Sequence, residues 1–164
     1  MIQKIDSSKI VYNKGIQSLC KKPFYGHAQG CPNYGEKEGC PPGIPLINNV
    51  FDFNSEMFVI YTAFPVGEFA ERMRLGHPEW SEHSRQWYNP RLWQGTARKE
   101  HREELENFMD KYSGFEIDRT PEGHGVNVTE LMGGIGVQLQ WGWPPEHNLE
   151  NKTYIVSLGG KKLS

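Results

Sequence analysis

The chain has 164 residues, of which 37% are hydrophobic and 23% are charged, and its formal net charge is -2. This length suits one domain with a sizeable core, so we expect a single domain over residues 1–164. The near balance of charges excludes a global basic field, which makes nucleic acid an unfavoured partner, although charge alone does not rule it out.

The first fifty residues combine short element signals with a long irregular segment. KIVY at residues 9–12 predicts a short strand, and GIQSLC at residues 15–20 predicts a helical turn that delivers Cys20. Residues 20–49 are dense in glycine and proline. A loop of this length is uncommon in a compact domain unless something orders it, and we favour a metal-binding loop over residues 20–43.

The middle of the chain alternates strand and helix patterns. EMFVIYTAF at residues 56–64 is continuously apolar and rich in β-branched and aromatic residues, which predicts a buried strand. Apolar residues at helical spacing follow over 65–76, opened by proline and closed by glycine. Residues 81–89 predict a further short helix.

Residues 90–112 carry the strongest helix signal, with a proline suited to the first turn. One face of this helix is predicted to be apolar and consists of Trp93, Ala97, His101, Leu105, Phe108, Met109 and Tyr112. Because His101 lies on that face, we expect a hydrogen-bonded core histidine there.

The C-terminal third contains two more strand patterns, at residues 114–118 and 153–160, and a turn into a short helix over 125–134. Residues 136–141 are ambiguous between strand and helix. The alternation predicts an α/β sandwich, with α+β as the alternative, in which helices cover a short central sheet and an irregular N-terminal loop binds metal.

All three cysteines of the chain, Cys20, Cys31 and Cys40, fall within this N-terminal loop. Their neighbours are Gly, Pro, Lys and Asn, which disfavours packing as small hydrophobic residues and favours shared metal coordination. Glycines supply the positive-φ corners that a chain needs to wrap a metal, and prolines stiffen the loop.

The cysteine spacing favours a [4Fe-4S] cluster, with zinc as the alternative. Structural zinc usually uses paired C-x-x-C ligands, and the sequence has no such pair, whereas three cysteines leave one iron of a cluster open. His27 would complete a Cys₃His zinc site, unless it is a surface loop histidine. Tyr25 and Tyr34 are candidates for the cluster rim, and His124, which lies between glycines, is a weaker candidate for ligand contact.

The expected function is chemistry at the open iron, on a small-molecule or nucleobase-like substrate, with sulfur transfer or removal as a candidate reaction. No catalytic residue is assigned. The alternative is a nonenzymatic module in which a structural zinc or iron–sulfur site supports partner binding or electron transfer with a redox partner protein. The sequence shows no signal-peptide run and no membrane-span pattern, so we expect a cytoplasmic protein with no membrane partner.

Tryptophans cluster in a second distinctive segment, WGWPP at residues 141–145. Together with Trp87 and Trp93, these tryptophans could stack a planar substrate such as a base. Core packing, or capping of the sheet, is the more common use of such residues.

The segment CPNYGEKEGCPP at residues 31–42, followed by the strand MFVIYTAF, resembles a family of small predicted metal-binding proteins of archaea and anaerobic bacteria, a domain of unknown function. PEGHGVNVTELM and the closing YIVSLGG are similar to the tail of that family. The resemblance implies a metal centre but no particular reaction. Family members carry a second cysteine group before the tail, whereas SGFEIDRTPEGHG here has none, which puts a second metal site in doubt.

Overall fold

A four-stranded sheet lies at the centre of the computed structural model, which describes residues 1–22 and 28–164. The strands are β1 (Ile2–Ile5), β2 (Met57–Phe64), β3 (Glu116–Asp118) and β4 (Thr153–Gly160), in the order β1-β2-β4-β3. All three pairings are antiparallel, and the longest joins β2 to β4, from Phe58 opposite Gly159 to Phe64 opposite Thr153.

Five α-helices occur in the described part of the chain: α1 (Lys14–Gln17), α2 (Val66–Gly76), α3 (His83–Trp87), α4 (Pro90–Lys111) and α5 (Val128–Gly133). Short 3₁₀ turns cover Ser7–Lys9, Ser18–Lys21, Ile47–Asn49 and Pro121–His124. The predicted sandwich of a short central sheet and covering helices is confirmed, and its antiparallel pairing corresponds to the α+β variant.

Alternation along β2 divides the core between the two faces of the sheet. Met57, Val59 and Tyr61 point to one face, where α5 and the turn before it pack. Phe58 and Ile60 point to the other face, which α4 covers. At the C-terminal end of β2 on this second face lies a further cluster: Phe64, Val66, Ala70, Tyr88, Trp93 and Ala97. The sheet is therefore buried on both sides, which explains the continuous apolar sequence of β2.

The predicted strand at residues 9–12 is wrong. That segment makes one isolated bridge, from Tyr12 to Val126, and the N-terminal strand is Ile2–Ile5 instead. β1 pairs with β2 at the edge of the sheet, with Ile2 opposite Ile60. Residues 2–5 and residues 9–12 both contain isoleucine among polar residues. Only the first segment pairs with β2, and this tertiary contact decides which of the two is a strand.

The long helix begins and ends close to its predicted limits. The Asn89 side chain accepts a hydrogen bond from the Arg91 backbone N–H, and Pro90 occupies the first turn. Most of the predicted apolar face is buried, but Met109 is exposed because it lies one residue beyond Phe108, on the solvent side. Residues 136–141 form neither helix nor strand.

Within the described residues, no helix is both long and apolar enough to cross a lipid bilayer.

Candidate metal centre

A backbone hydrogen bond connects Cys20 and Cys31. Cys20 lies in the 3₁₀ turn Ser18–Lys21, which follows α1, and its carbonyl oxygen accepts a hydrogen bond of 2.7 Å from the Cys31 backbone N–H. Gly30 has φ +86°, and a Cβ at this position would lie 2.5 Å from the Lys21 carbonyl oxygen. Glycine is therefore required where the two cysteine segments meet.

Tight turns then bring Cys40 back toward Cys31. The Tyr34 N–H donates to the Cys31 carbonyl at 3.2 Å, and the Cys40 N–H donates to the Lys37 carbonyl at 3.1 Å. A longer link, from the Gly35 N–H to the Pro41 carbonyl at 2.8 Å, closes the segment on itself. The glycine-rich sequence between the two cysteines thus forms a compact fold of turns.

The three thiols are free and half-buried, and Cys31 and Cys40 lie close enough to Cys20 to act on its ionisation. Burial raises the pKa of the Cys20 thiol, and the neighbouring charges of Cys31, Cys40 and Glu122 raise that pKa further. Thiolate–thiolate repulsion of this kind is what a bound cation relieves. The chemistry of the donor set therefore suits a thiophilic metal or an iron–sulfur cluster.

The described residues do not form a ready-made ion site, because no group of three or more Cys, His, Asp or Glu side chains lies in ligand positions among them. Two of the sequence candidates, His27 and Tyr25, lie in residues 23–27 and therefore outside the described residues.

A turn from the last third of the chain packs against the cysteine loop. Gly123, in the 3₁₀ turn Pro121–His124, lies against Pro41 and Ile44. The buried Gln17 side chain donates to the Ile44 carbonyl at 3.1 Å and to the Gly123 carbonyl at 3.0 Å. Gln17 thus ties α1, the cysteine loop and the distant turn together.

Glu122 is the acidic residue that this turn brings toward Cys20. The residue is exposed, and desolvation near the loop raises the pKa of its carboxyl, with a further contribution from Asp118. Glu122 could not be selected from the sequence, because more than eighty residues separate it from Cys40 and no local motif connects them.

His124, the weaker sequence candidate, is held by an acidic partner. Its Nδ1 lies 2.8 Å from Asp118 Oδ2, and Asp118 is almost fully buried. Asp118 Oδ1 also accepts a hydrogen bond from the Thr120 backbone N–H. An Asp–His pair of this type fixes the orientation of the imidazole and leaves Nε2 as the second ring nitrogen.

Tyr34 lines a cavity of about 480 Å³ next to the cysteine loop. Lys14, Gln17 and Ser18 of α1 and the following turn form one wall, and Pro42 and residues 44–46 contribute another. The Lys21 ammonium lies 4.9 Å from the centre of the Tyr34 ring. The predicted rim residue therefore adjoins a space of small-molecule size.

No protein-family model matches the chain, and comparison with curated proteins and with solved structures likewise gives no match.

Proposed function

We propose that the protein is an iron–sulfur protein in which Cys20, Cys31 and Cys40 hold a [4Fe-4S] cluster and leave one iron open for a small molecule. The observation that carries the proposal is the proximity of Cys31 and Cys40 to Cys20, whose thiol pKa is raised by burial and then by the charges of both. The backbone hydrogen bond from Cys31 to Cys20 supports it, because that bond brings two of the ligand segments together.

The cavity beside Tyr34 supports an enzymatic role for such a cluster. An open iron binds an electron-pair donor on the substrate, in the same way that a catalytic zinc keeps one position free. The cavity, with Lys14 and Tyr34 in its lining, would hold the rest of the molecule. Sulfur transfer or removal on a nucleobase-like molecule is the reaction class that we retain for this site.

A nonenzymatic module with structural zinc is the second candidate, and the position of Glu122 favours it. Three thiolates and one carboxylate give the four ligands that a closed zinc site needs. Such a site would staple the cysteine loop to the turn at Pro121–His124, and the protein would then act by binding a partner.

Metal analysis of anaerobically purified protein separates the two candidates. An iron–sulfur centre predicts brown protein with about four irons and four sulfides per chain. Cys20→Ala, Cys31→Ala and Cys40→Ala should each lose most of the bound iron, whereas Ser18→Ala, in the same turn as Cys20, should retain it. Full iron content in any of the three cysteine variants would contradict the proposed ligand set.

Glu122→Gln provides an independent comparison. If the cluster has an open iron, the variant should keep the iron and sulfide content of the wild type. If Glu122 is the fourth ligand of zinc, the same variant should bind zinc at least about 10-fold more weakly. Colourless protein with one zinc per chain, together with that loss, would support the structural module and reject the iron–sulfur enzyme.

A further inference from the structure

The segment between α5 and β4 lines a cavity of about 880 Å³. Residues 138–148 and Asn151 line it. The segment runs around one end of the sheet: Leu139 packs on the face that α5 covers, and Trp143 packs with the aromatic cluster near Trp93 on the other face. The volume is that of a small-molecule site.

Two tryptophans of this cavity have their indole N–H groups already occupied by protein. Trp141 Nε1 donates to Thr129 Oγ1 at 2.9 Å, and Trp143 Nε1 donates to the Tyr88 carbonyl at 3.1 Å. Trp141 is nonetheless 74% exposed. A ring that is fixed in orientation and exposed to solvent offers a ligand its π-face, which is the surface used for stacking.

A partly buried chain of hydrogen bonds holds the cavity wall in place. The Tyr88 hydroxyl accepts from Asn151 Nδ2 at 3.0 Å and from the Asn148 backbone N–H at 3.4 Å. It therefore donates its own proton to His147 Nδ1, 2.7 Å away, which places the imidazole proton on Nε2. His147 Nε2 donates to Glu71 Oε2 at 2.8 Å.

Glu71 anchors this chain to α2. Hydrogen bonds from Arg74 and then from His147 lower the pKa of Glu71 to about 2. The carboxylate therefore stays ionised at ordinary pH and accepts the hydrogen bond from His147 Nε2. The wall at residues 147–151 is consequently pre-organised, although it has no regular secondary structure.

The remaining lining groups define the charge of a ligand. None of the described residues that line the cavity is a lysine or an arginine, whereas Glu146 contributes a carboxylate. The exposed residues Gln138 and Gln140 also line the cavity, and no hydrogen bond joins their side chains to the described part of the protein. Such a lining disfavours phosphate and offers paired donors and acceptors to a neutral molecule.

We infer that this cavity binds an uncharged nucleobase or nucleoside, stacked on Trp141 and contacted along its polar edge by the Gln138 and Gln140 amides. The inference does not depend on the metal centre. Base–aromatic stacking supplies affinity for any base, and the amides supply selection among bases. Absence of the positive groups that phosphate contacts need separates this site from a nucleic-acid groove.

The test is titration of metal-loaded and chelator-treated protein with the four common nucleosides, followed by calorimetry and by quenching of tryptophan fluorescence. At least one nucleoside should bind saturably in both preparations, and that nucleoside should bind more tightly than its own monophosphate. Trp141→Ala should weaken binding roughly 10-fold, whereas Trp141→Phe should retain most of the affinity.

Trp80→Ala is the matched control, because Trp80 stacks on His77 and does not line the cavity. This variant should bind nucleosides as the wild type does. No saturable binding of any nucleoside, equal affinity in Trp141→Ala, or tighter binding of a neutral oligosaccharide would overturn the inference. Loss of binding on metal removal would also overturn it, since it would assign the ligand to the metal site.

Discussion

At the scale of single residues, His101 shows how a polar side chain is accommodated under the sheet. Its Nδ1 lies 3.0 Å from Thr62 Oγ1 and its Nε2 lies 2.7 Å from Ser157 Oγ, and all three side chains are buried. The expectation of a hydrogen-bonded core histidine is confirmed. Because every polar atom of the imidazole has a partner, the residue connects α4 to β2 and β4 without an unpaired group.

Removal of this imidazole should destabilise the fold. His101→Ala leaves two buried hydroxyls without their partner and opens a cavity, and the expected loss is about 3 kcal/mol in the free energy of unfolding. Urea unfolding monitored by circular dichroism measures it. His83→Ala removes an exposed histidine and should change the free energy by less than about 0.5 kcal/mol. Equal effects in the two variants would contradict a structural role for His101.

His101 should also make stability depend on pH. Burial lowers the pKa of His101 below its ordinary value of 6.5, and the positive N-terminus and Arg119 lower it further. The unfolded chain therefore takes up a proton near pH 6.5 before the folded protein does, so that stability falls as the pH drops below 6.5. Unfolding free energies measured from about pH 8 to about pH 5 should decline more steeply for the wild type than for His101→Ala.

At the scale of secondary-structure elements, the start of α2 fixes the segment that leads into β4. The Gly67 backbone N–H donates to the Asn151 carbonyl at 2.8 Å, and a Cβ on Gly67 would overlap the Asn148 carbonyl oxygen. The helix and the segment therefore approach each other through backbone atoms. This contact lies next to the hydrogen-bonded chain from Tyr88 to Glu71.

Two glycine-to-alanine substitutions in helices should have opposite effects. Gly67→Ala should lower the free energy of unfolding by about 1–3 kcal/mol, because residues 148–151 must move away. Gly95→Ala, in the exposed middle of α4 where a Cβ meets no other atom within 4 Å, should raise it by about 1 kcal/mol. Thermal unfolding of both variants tests the pair, and a stabilised Gly67→Ala would show that the packing is not restrictive.

Elements with a strong pattern of their own were predictable from the sequence, and weakly patterned ones were not. β2, α2 and α4 agree with prediction because a continuous apolar run, a helical stripe and a capping proline each specify them locally. β1 was missed because it has only four residues, two of which, Gln3 and Lys4, are exposed. Such a segment becomes a strand only by pairing with β2. The apolar residues of segment 136–141 follow neither the helical nor the strand period, and the segment forms no regular secondary structure.

At the scale of the whole molecule, the fold closes the cysteine loop with a turn from the last third of the chain. The sequence predicted that residues 20–43 form an irregular loop with three cysteines, and the described part of that segment has no strand or α-helix. It did not predict that Glu122 and the Asp118–His124 pair approach from the other end. β3 is an edge strand that leads into the Pro121–His124 turn, and this turn contacts α1 just before Cys20. No local pattern encodes that contact.

The contact between the cysteine loop and the Pro121–His124 turn should contribute to the free energy of unfolding through Gln17. Gln17→Met preserves the side-chain length but leaves the Ile44 and Gly123 carbonyls without their donor, so the metal-free protein should lose about 2 kcal/mol of unfolding free energy. Gln3→Met, at an exposed position of β1, should change it by less than about 0.5 kcal/mol. In metal-loaded protein, Gln17→Met should also release metal to a chelator faster than wild type, because the turn no longer holds the loop. Faster release without any loss of metal-free stability would place the effect of Gln17 at the metal site alone and contradict its role as a tie across the fold.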